Sequence, residues 1–181
     1  MIVTFTANPS IDATLSVVAL DPGDVLRVSE STREPGGKGI NVSNAVLKAG
    51  RETIAVIPAS EHDPFVALAG SAGIPLRTVR VDGTVRTNTT VTEKNGRTTK
   101  LNEPGAELTD ATLKALETEL TAAASEPGAE AAVLAGSLPP GAPADWYATL
   151  VRALRGANSN LLIAVDTSDE PLKQLGKRLE G

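Results

Sequence analysis

The residues of this chain that could do chemistry are a run of glycines, three cations, an acid and an amide. The run is Pro35-Gly36-Gly37-Lys38-Gly39, and it leads straight into Ile40-Asn41-Val42-Ser43. Pro35 and the glycines read as a turn that cannot lie inside a helix. Ile40, Val42, Ala45, Val46 and Ala49 read as a mostly apolar helix with a left-handed stop at Gly50. Gly36, Gly37 and Gly39 put no side chain between backbone and ligand. The start of the helix would aim unpaired N–H groups and the positive end of its dipole at that ligand, and Lys38 adds a full charge. Such a place suits an anion. Taken alone, the run is equally compatible with a plain strand-to-helix connector that leaves Lys38 in solvent.

The other candidates lie far apart in the chain. Asp12 follows the first strand, where open α/β sheets place ligands, although an aspartate there can also simply cap a turn. Ser137 and Asp166 follow later strands and come to the same edge. Arg86 and Lys100 lie on strands that could fold over it, or stay solvated as surface cations do. Carboxylate and amide (Asp12, Asn41) hold hydroxyls, and cations (Lys38, Arg86, Lys100) hold phosphate, so the set fits a polyhydroxylated, phosphorylated ligand.

The elements that must position these residues alternate along the chain. Strands are expected at Ile2 to Thr6, Ile11 to Val17, Val25 to Val28, Thr53 to Ile57 and Leu76 to Val81. Asp82-Gly83 reads as a hairpin signal, and Val85 to Glu93 pairs with Arg97 to Leu101 around Lys94-Asn95-Gly96. Rich in Thr and charge, these strands should form a small sheet standing off the main body, drawn from about 11–28 and 84–101. Helices are expected at Pro64 to Ala72 behind the cap Asp63, Thr109 to Ala124, Ala144 to Leu154 and Glu170 to Leu179. Strands at Ala131 to Ala135 and Leu161 to Val165 separate the later ones. That order implies an α/β fold with a mainly parallel sheet.

Composition excludes several functions. With 181 residues, 41% hydrophobic but only 2% aromatic, the core must be built from Val, Leu, Ile and Ala. A net charge of −5 disfavours nucleic acid. The absence of cysteine removes disulfides and thiolate chemistry, and the single His62 argues against zinc, so no metal site is assigned. His62 between Glu61 and Asp63 reads as solvated. Ser137 has no histidine to act as its base, which argues against a hydrolase triad. Trp146 and Tyr147 read as packing residues. The run is not a Walker A loop, because Gly39 stands where that loop has a hydroxyl, and it does not follow the first strand as a dinucleotide fingerprint would. The N-terminus lacks a signal-peptide pattern, and no segment reaches the roughly 18 apolar residues of a membrane span, so a soluble, cytoplasmic protein with no membrane partner is expected.

Five stretches occur in an order that is more specific than any of them: Thr6-Ala7-Asn8-Pro9-Ser10-Ile11-Asp12, Pro35 to Ser43, Arg86 to Glu93, Thr99-Lys100-Leu101-Asn102-Glu103-Pro104-Gly105, and Ala135-Gly136-Ser137-Leu138-Pro139-Pro140-Gly141. Together they resemble the ribokinase-like (PfkB) carbohydrate kinases, in the branch of the 1-phosphofructokinases and tagatose-6-phosphate kinases. The resemblance implies an α/β/α body with a β lid and a sugar phosphate held beneath it. By motif, Asp12 would bind sugar hydroxyls, Gly36, Gly37 and Asn41 would line the pocket, and Lys38 and Arg86 would meet the existing phosphate. Lys100 and Ser137 would complete it. A homodimer clasped through the lids is also implied.

The family's second signature, a Gly-Ala-Gly-Asp-like turn carrying the catalytic base and the anion hole, has no counterpart among these residues. The expectation is therefore that residues 1–181 are the N-terminal, substrate-and-lid part of the kinase domain, with no catalytic residue of their own and with most of the ATP and Mg²⁺ site missing. The complete enzyme would phosphorylate fructose 1-phosphate to the 1,6-bisphosphate, or tagatose 6-phosphate, and this chain alone would be inactive. The alternative is a non-catalytic sugar-phosphate-binding or dimerisation module. At Ile57 to His62, where the family often has glycines, loop contacts depart from the pattern.

Overall fold

The computed structural model describes residues 1–179 and contains two sheets. The larger takes β1 (Ile2–Phe5), β4 (Thr53–Pro58), β5 (Leu76–Val79), β8 (Ala131–Ala135) and β9 (Leu162–Asp166) in the order β5-β4-β1-β8-β9, every pair parallel. The smaller takes β2 (Ser10–Val17), β3 (Glu30–Gly36), β6 (Arg86–Glu93) and β7 (Thr98–Asn102) in the order β3-β2-β6-β7. Its outer pairs are antiparallel, while β2 and β6 run parallel. The expected α/β class, with a parallel sheet and a separate small one, holds.

Parallel strands need crossover connections, and the helices supply them on both faces of the larger sheet. These are α1 (Lys38–Lys48), α2 (Pro64–Ser71), α3 (Asp110–Ala124), α4 (Trp146–Ala157) and α5 (Asp169–Leu179). Alternation along β4 shows the two faces. Val56 joins Phe5, Leu116, Leu120, Leu134 and Leu150 in one apolar cluster, whereas Ala55 and Ile57 join Ile40, Phe65 and Ala69 in another. Phe5 meets Trp146 edge-on at 5.5 Å, and Trp146 and Tyr147 are both buried, as packing residues should be. Beneath α1 a buried chain of hydroxyls, Thr4 to Ser43 at 2.7 Å and Ser43 to Thr53 at 3.1 Å, registers that helix against β1 and β4. Among the described residues no helix is long and apolar enough to cross a membrane.

Four expectations are corrected. Val25–Val28 is not a strand; the second strand of the small sheet is Glu30–Gly36. Its sequence, Glu-Ser-Thr-Arg-Glu-Pro-Gly, lies on an edge with almost every side chain exposed, so it carries no alternating apolar signal, and an edge tolerates Pro35. Pro35 and Gly36 thus close a strand, while Gly39 lies inside α1. Asp82-Gly83 does not form a hairpin: β5 belongs to the large sheet and β6 to the small one, with the turn between them carrying the chain across. The strand expected to reach Val81 ends at Val79.

Candidate functional site

The seam between the sheets is an open cleft of about 280 Å³. The large sheet's side contributes Gly37, Lys38 and Asn41 from the start of α1, Gly136 and Ser137 after β8, and Ser168 after β9. The small sheet contributes Ser10 and Asp12 from β2 and Arg86 and Asn88 from β6, with Asn8 on the crossing between them.

Close approach of backbone builds the α1 side. A Cβ on Gly39 would lie 2.4 Å from Thr6 Oγ1 and 2.7 Å from the Phe5 carbonyl, so only glycine lets the helix start against the end of β1. Gly37, with φ of 108°, caps that start in a conformation L side chains rarely adopt. The result is a helix N-terminus opening on the cleft without an acidic residue in its first turn. Gly36 serves differently. It stands at the end of β3, and a Cβ there would fall 2.3 Å from the Asp12 carboxylate. Its lack of a side chain is what gives Asp12 room.

Ser10 Oγ donates to Asp12 Oδ1 at 2.8 Å and Asn88 Nδ2 to the same oxygen at 3.4 Å. Arg86 reaches across the crossings, donating from Nη1 to the Glu103 carbonyl at 3.1 Å and from Nη2 to the Asn8 carbonyl at 3.3 Å. Burial holds its guanidinium below the ordinary arginine range, against the Asp12 and Glu103 carboxylates, which favour the charge. Arg86 Nε and Asn88 Oδ1 are buried and have no partner. Lys38 Nζ lies 3.2 and 3.1 Å from the two carboxylate oxygens of Asp166, with both side chains more than half exposed. The turn below Ser137 is pinned by the Gly136 carbonyl, which accepts from Tyr147 at 3.0 Å and from Thr167 at 3.2 Å. Burial, with the Asp166 charge adding to it, pushes the Tyr147 phenol above its ordinary range, so it stays a donor.

The structure therefore brings Asp12, Gly37, Lys38, Asn41, Arg86 and Ser137 together, with Gly36 behind Asp12. Lys100 is not among them; it is exposed on β7, opposite Thr90, outside the cleft lining. Asn8, Ser10, Asn88 and Ser168 line the cleft without having been singled out from sequence. Period-two counting from Arg86 along a strand could have found Asn88, and from Asp12 could have found Ser10. Nothing local marks Ser168 or the second role of Tyr147. Among the described residues no three His, Asp or Glu side chains gather as a metal site.

The model of the pfkB family carbohydrate kinases matches residues 6–179, and the chain belongs to that family. It is 34% identical over 177 residues to the ATP-dependent 6-phosphofructokinase isozyme 2 of Mycobacterium tuberculosis, covering 96% of this chain and 51% of that one. It is 37% identical over 173 residues to the 1-phosphofructokinase of Xanthomonas campestris, covering 94% and 53%. Phosphofructokinase-2 of Escherichia coli, solved in complex with fructose-6-phosphate, superposes with a TM-score of 0.85 at 29% identity, over 96% of this chain and 56% of that one. The same enzyme is known in a tetrameric inhibited form, matched at a TM-score of 0.85 and 30% identity over 96% and 57%. The chain spans about half the length of the curated relatives it matches.

Proposed function

We propose that residues 1–181 form the sugar-phosphate-binding part of an ATP-dependent hexose-phosphate kinase, with the small sheet acting as its lid. The observation that carries this reading is a buried donor and a buried acceptor, Arg86 Nε and Asn88 Oδ1, both without partners and both on residues lining the cleft. Buried polar groups are normally paired, so this pair calls for a ligand that accepts at one point and donates at another. A phosphorylated sugar does both. Arg86, Lys38 (turned from Asp166) and the α1 N-terminus would take the phosphate, with Asp12, Asn88 and Asn41 on the hydroxyls and Ser137 closing the edge.

The substrate of this reading is fructose 1-phosphate. Its C6 hydroxyl would attack the γ-phosphorus of ATP, giving fructose 1,6-bisphosphate and ADP, with the hydroxyl proton passing to a base. Neither that base nor a magnesium site is assigned to residues 1–181, so the chain alone is expected to bind without turnover. Fructose 6-phosphate is the second reading, favoured by the names of the M. tuberculosis and E. coli proteins, and its phosphorylation at C1 gives the same product. Tagatose 6-phosphate is a further candidate. A homodimer through the lid would cover Val18, Val25 and Leu101, which are 76%, 92% and 60% exposed. A cytoplasmic setting belongs to the same reading.

Calorimetric titration of the folded chain with each of the three sugar phosphates tests this. Fructose 1-phosphate should bind best, and Lys38→Ala and Arg86→Ala should each weaken it about tenfold or more. A folded chain that binds none of them overturns the reading, and tighter binding of fructose 6-phosphate moves it to the second. Turnover by the chain alone would overturn the expectation of inactivity.

A further inference from the structure

The Asn-Glu-Pro-Gly run at 102–105 and the cap residue Asp63 do not line the cleft, yet both bond to the chain on either side of Arg86. The β6–β7 ladder runs on one edge of β6, where Glu93 N–H donates to the Arg97 carbonyl at 2.9 Å, and it stops at the pair Asn88 and Asn102. Two more N–H groups of the same alternating set remain, on Thr87 and Val85. Carboxylates take them in place of strand carbonyls. Thr87 N–H donates to Glu103 Oε2 at 2.8 Å, and Val85 N–H donates to Asp63 Oδ2 at 2.8 Å. Arg86 is the residue between. We propose that Asp63 and Glu103 are positioning residues that aim the Arg86 guanidinium into the cleft by clamping the backbone on either side of it.

The two clamps anchor Arg86 to different parts of the molecule. Asp63 is 4% exposed and is tied to the body, because its other oxygen, Oδ1, accepts the Phe65 N–H at 2.9 Å and caps α2. Glu103 also offers its carbonyl to Arg86 Nη1 at 3.1 Å, so one residue holds both the backbone and the side chain of this stretch. Charge-assisted bonds to backbone N–H groups are short and strong, which suits a place where a strand leaves one sheet for another. The inference rests on the reading of Arg86 as the phosphate-binding cation.

The test uses the full chain and fructose 1-phosphate, with a double-mutant cycle at its centre. Asp63→Ser keeps an oxygen to cap α2 but cannot also reach Val85. Glu103→Ala removes the second clamp, whereas Glu103→Gln retains an acceptor. Asp63→Ser and Glu103→Ala should each lower affinity roughly tenfold, Glu103→Gln should stay near the parent, and neither loss should recur on an Arg86→Ala background. Unchanged affinity, or the same loss with and without Arg86, overturns the proposal. Should the parent chain bind no sugar phosphate, the reading of the site fails, and the Arg86 Nε–H resonance then decides the clamp separately. That resonance and fast amide exchange at Val85 and Thr87 should shift together in both clamp variants; a resonance that stays put rejects it.

Discussion

The two sheets are made of the same chain by different means. In the large sheet, β1 and β8 sit between helices and bury Val3, Phe5, Ala132 and Leu134 almost completely, so its strands are short apolar runs that need little help from their neighbours. The small sheet meets α1 and α2 through its edge strand β3, and its strands are mostly Thr, Ser and charge. It is held by its ladders, by Ile11 and Val85 dipping into the apolar cluster under α1 and α2, and by polar contacts at its corners. One region is stabilised by burial, the other by pairing. The candidate site lies at the seam, where a firm anion-binding helix start meets a sheet that carries the carboxylate and the guanidinium.

If the division is right, truncating the large sheet's core should have the largest effect. Phe5→Ala, at a fully buried side chain in contact with Trp146, is expected to cost about 3–5 kcal/mol in chemical denaturation and to unfold both regions together. A loss under about 1 kcal/mol would show that burial in the body does not dominate. Next comes the seam. Gly36→Ala places a Cβ on the Asp12 carboxylate, so overpacking of about 1–3 kcal/mol should appear as weaker sugar-phosphate binding without any charge having been changed. Binding equal to the parent would remove Asp12 from the site.

A smaller effect should separate the regions by pH. Glu93 is buried at the corner of the small sheet, where Arg97 and the Leu20 N–H stabilise its ionised form and hold its carboxyl below the usual value of 4.5. A depressed folded value means the stabilisation is fully present above the unfolded value and is lost as pH falls through the folded one. Acidification below about 4.5 should therefore loosen the Leu20 amide, which donates to Glu93, ahead of those of β1, and Glu93→Gln should abolish the difference. Coincident loss at all amides would argue that the small sheet has no acid-sensitive corner of its own. The smallest effect is expected at Lys100, exposed on β7 and outside the cleft. Lys100→Ala should change stability by less than about 0.5 kcal/mol and leave sugar-phosphate affinity within roughly twofold. A tenfold loss would restore it to the site.

Legibility from sequence follows the same division. The body's strands and helices announce themselves through apolar runs, the caps Asp63 and Thr109, and stops such as Gly50 and Gly73. The small sheet is less legible, because Glu30–Gly36 pairs through its backbone while most of its side chains face water. Among the candidates, Asp12, Lys38, Asn41, Arg86 and Ser137 were found through ordered motifs, and all line the cleft. Asn88 and Ser10 share their strand faces with Arg86 and Asp12 through the period of two, a signal that carries weight only once those strands are placed at the cleft. Lys100 is marked by its charge and by the Thr99–Gly105 stretch, and neither fixes the direction in which a strand residue faces.

The amino-acid sequence by itself determined the alternation of strand and helix, the anion-suited start of α1 and the family to which the ordered motifs point. Each of these rests on residues close together in the chain, where propensity, capping and the lack of a side chain act locally. Only the tertiary structure decided that β2 runs parallel to β6, that the Asp12 carboxylate sits over Gly36, that Lys38 rests on Asp166 128 residues away, and that Val85 and Thr87 are held by Asp63 and Glu103. Those contacts join distant segments, and their partners are chosen by the path of the folded backbone, which no local pattern of residues encodes.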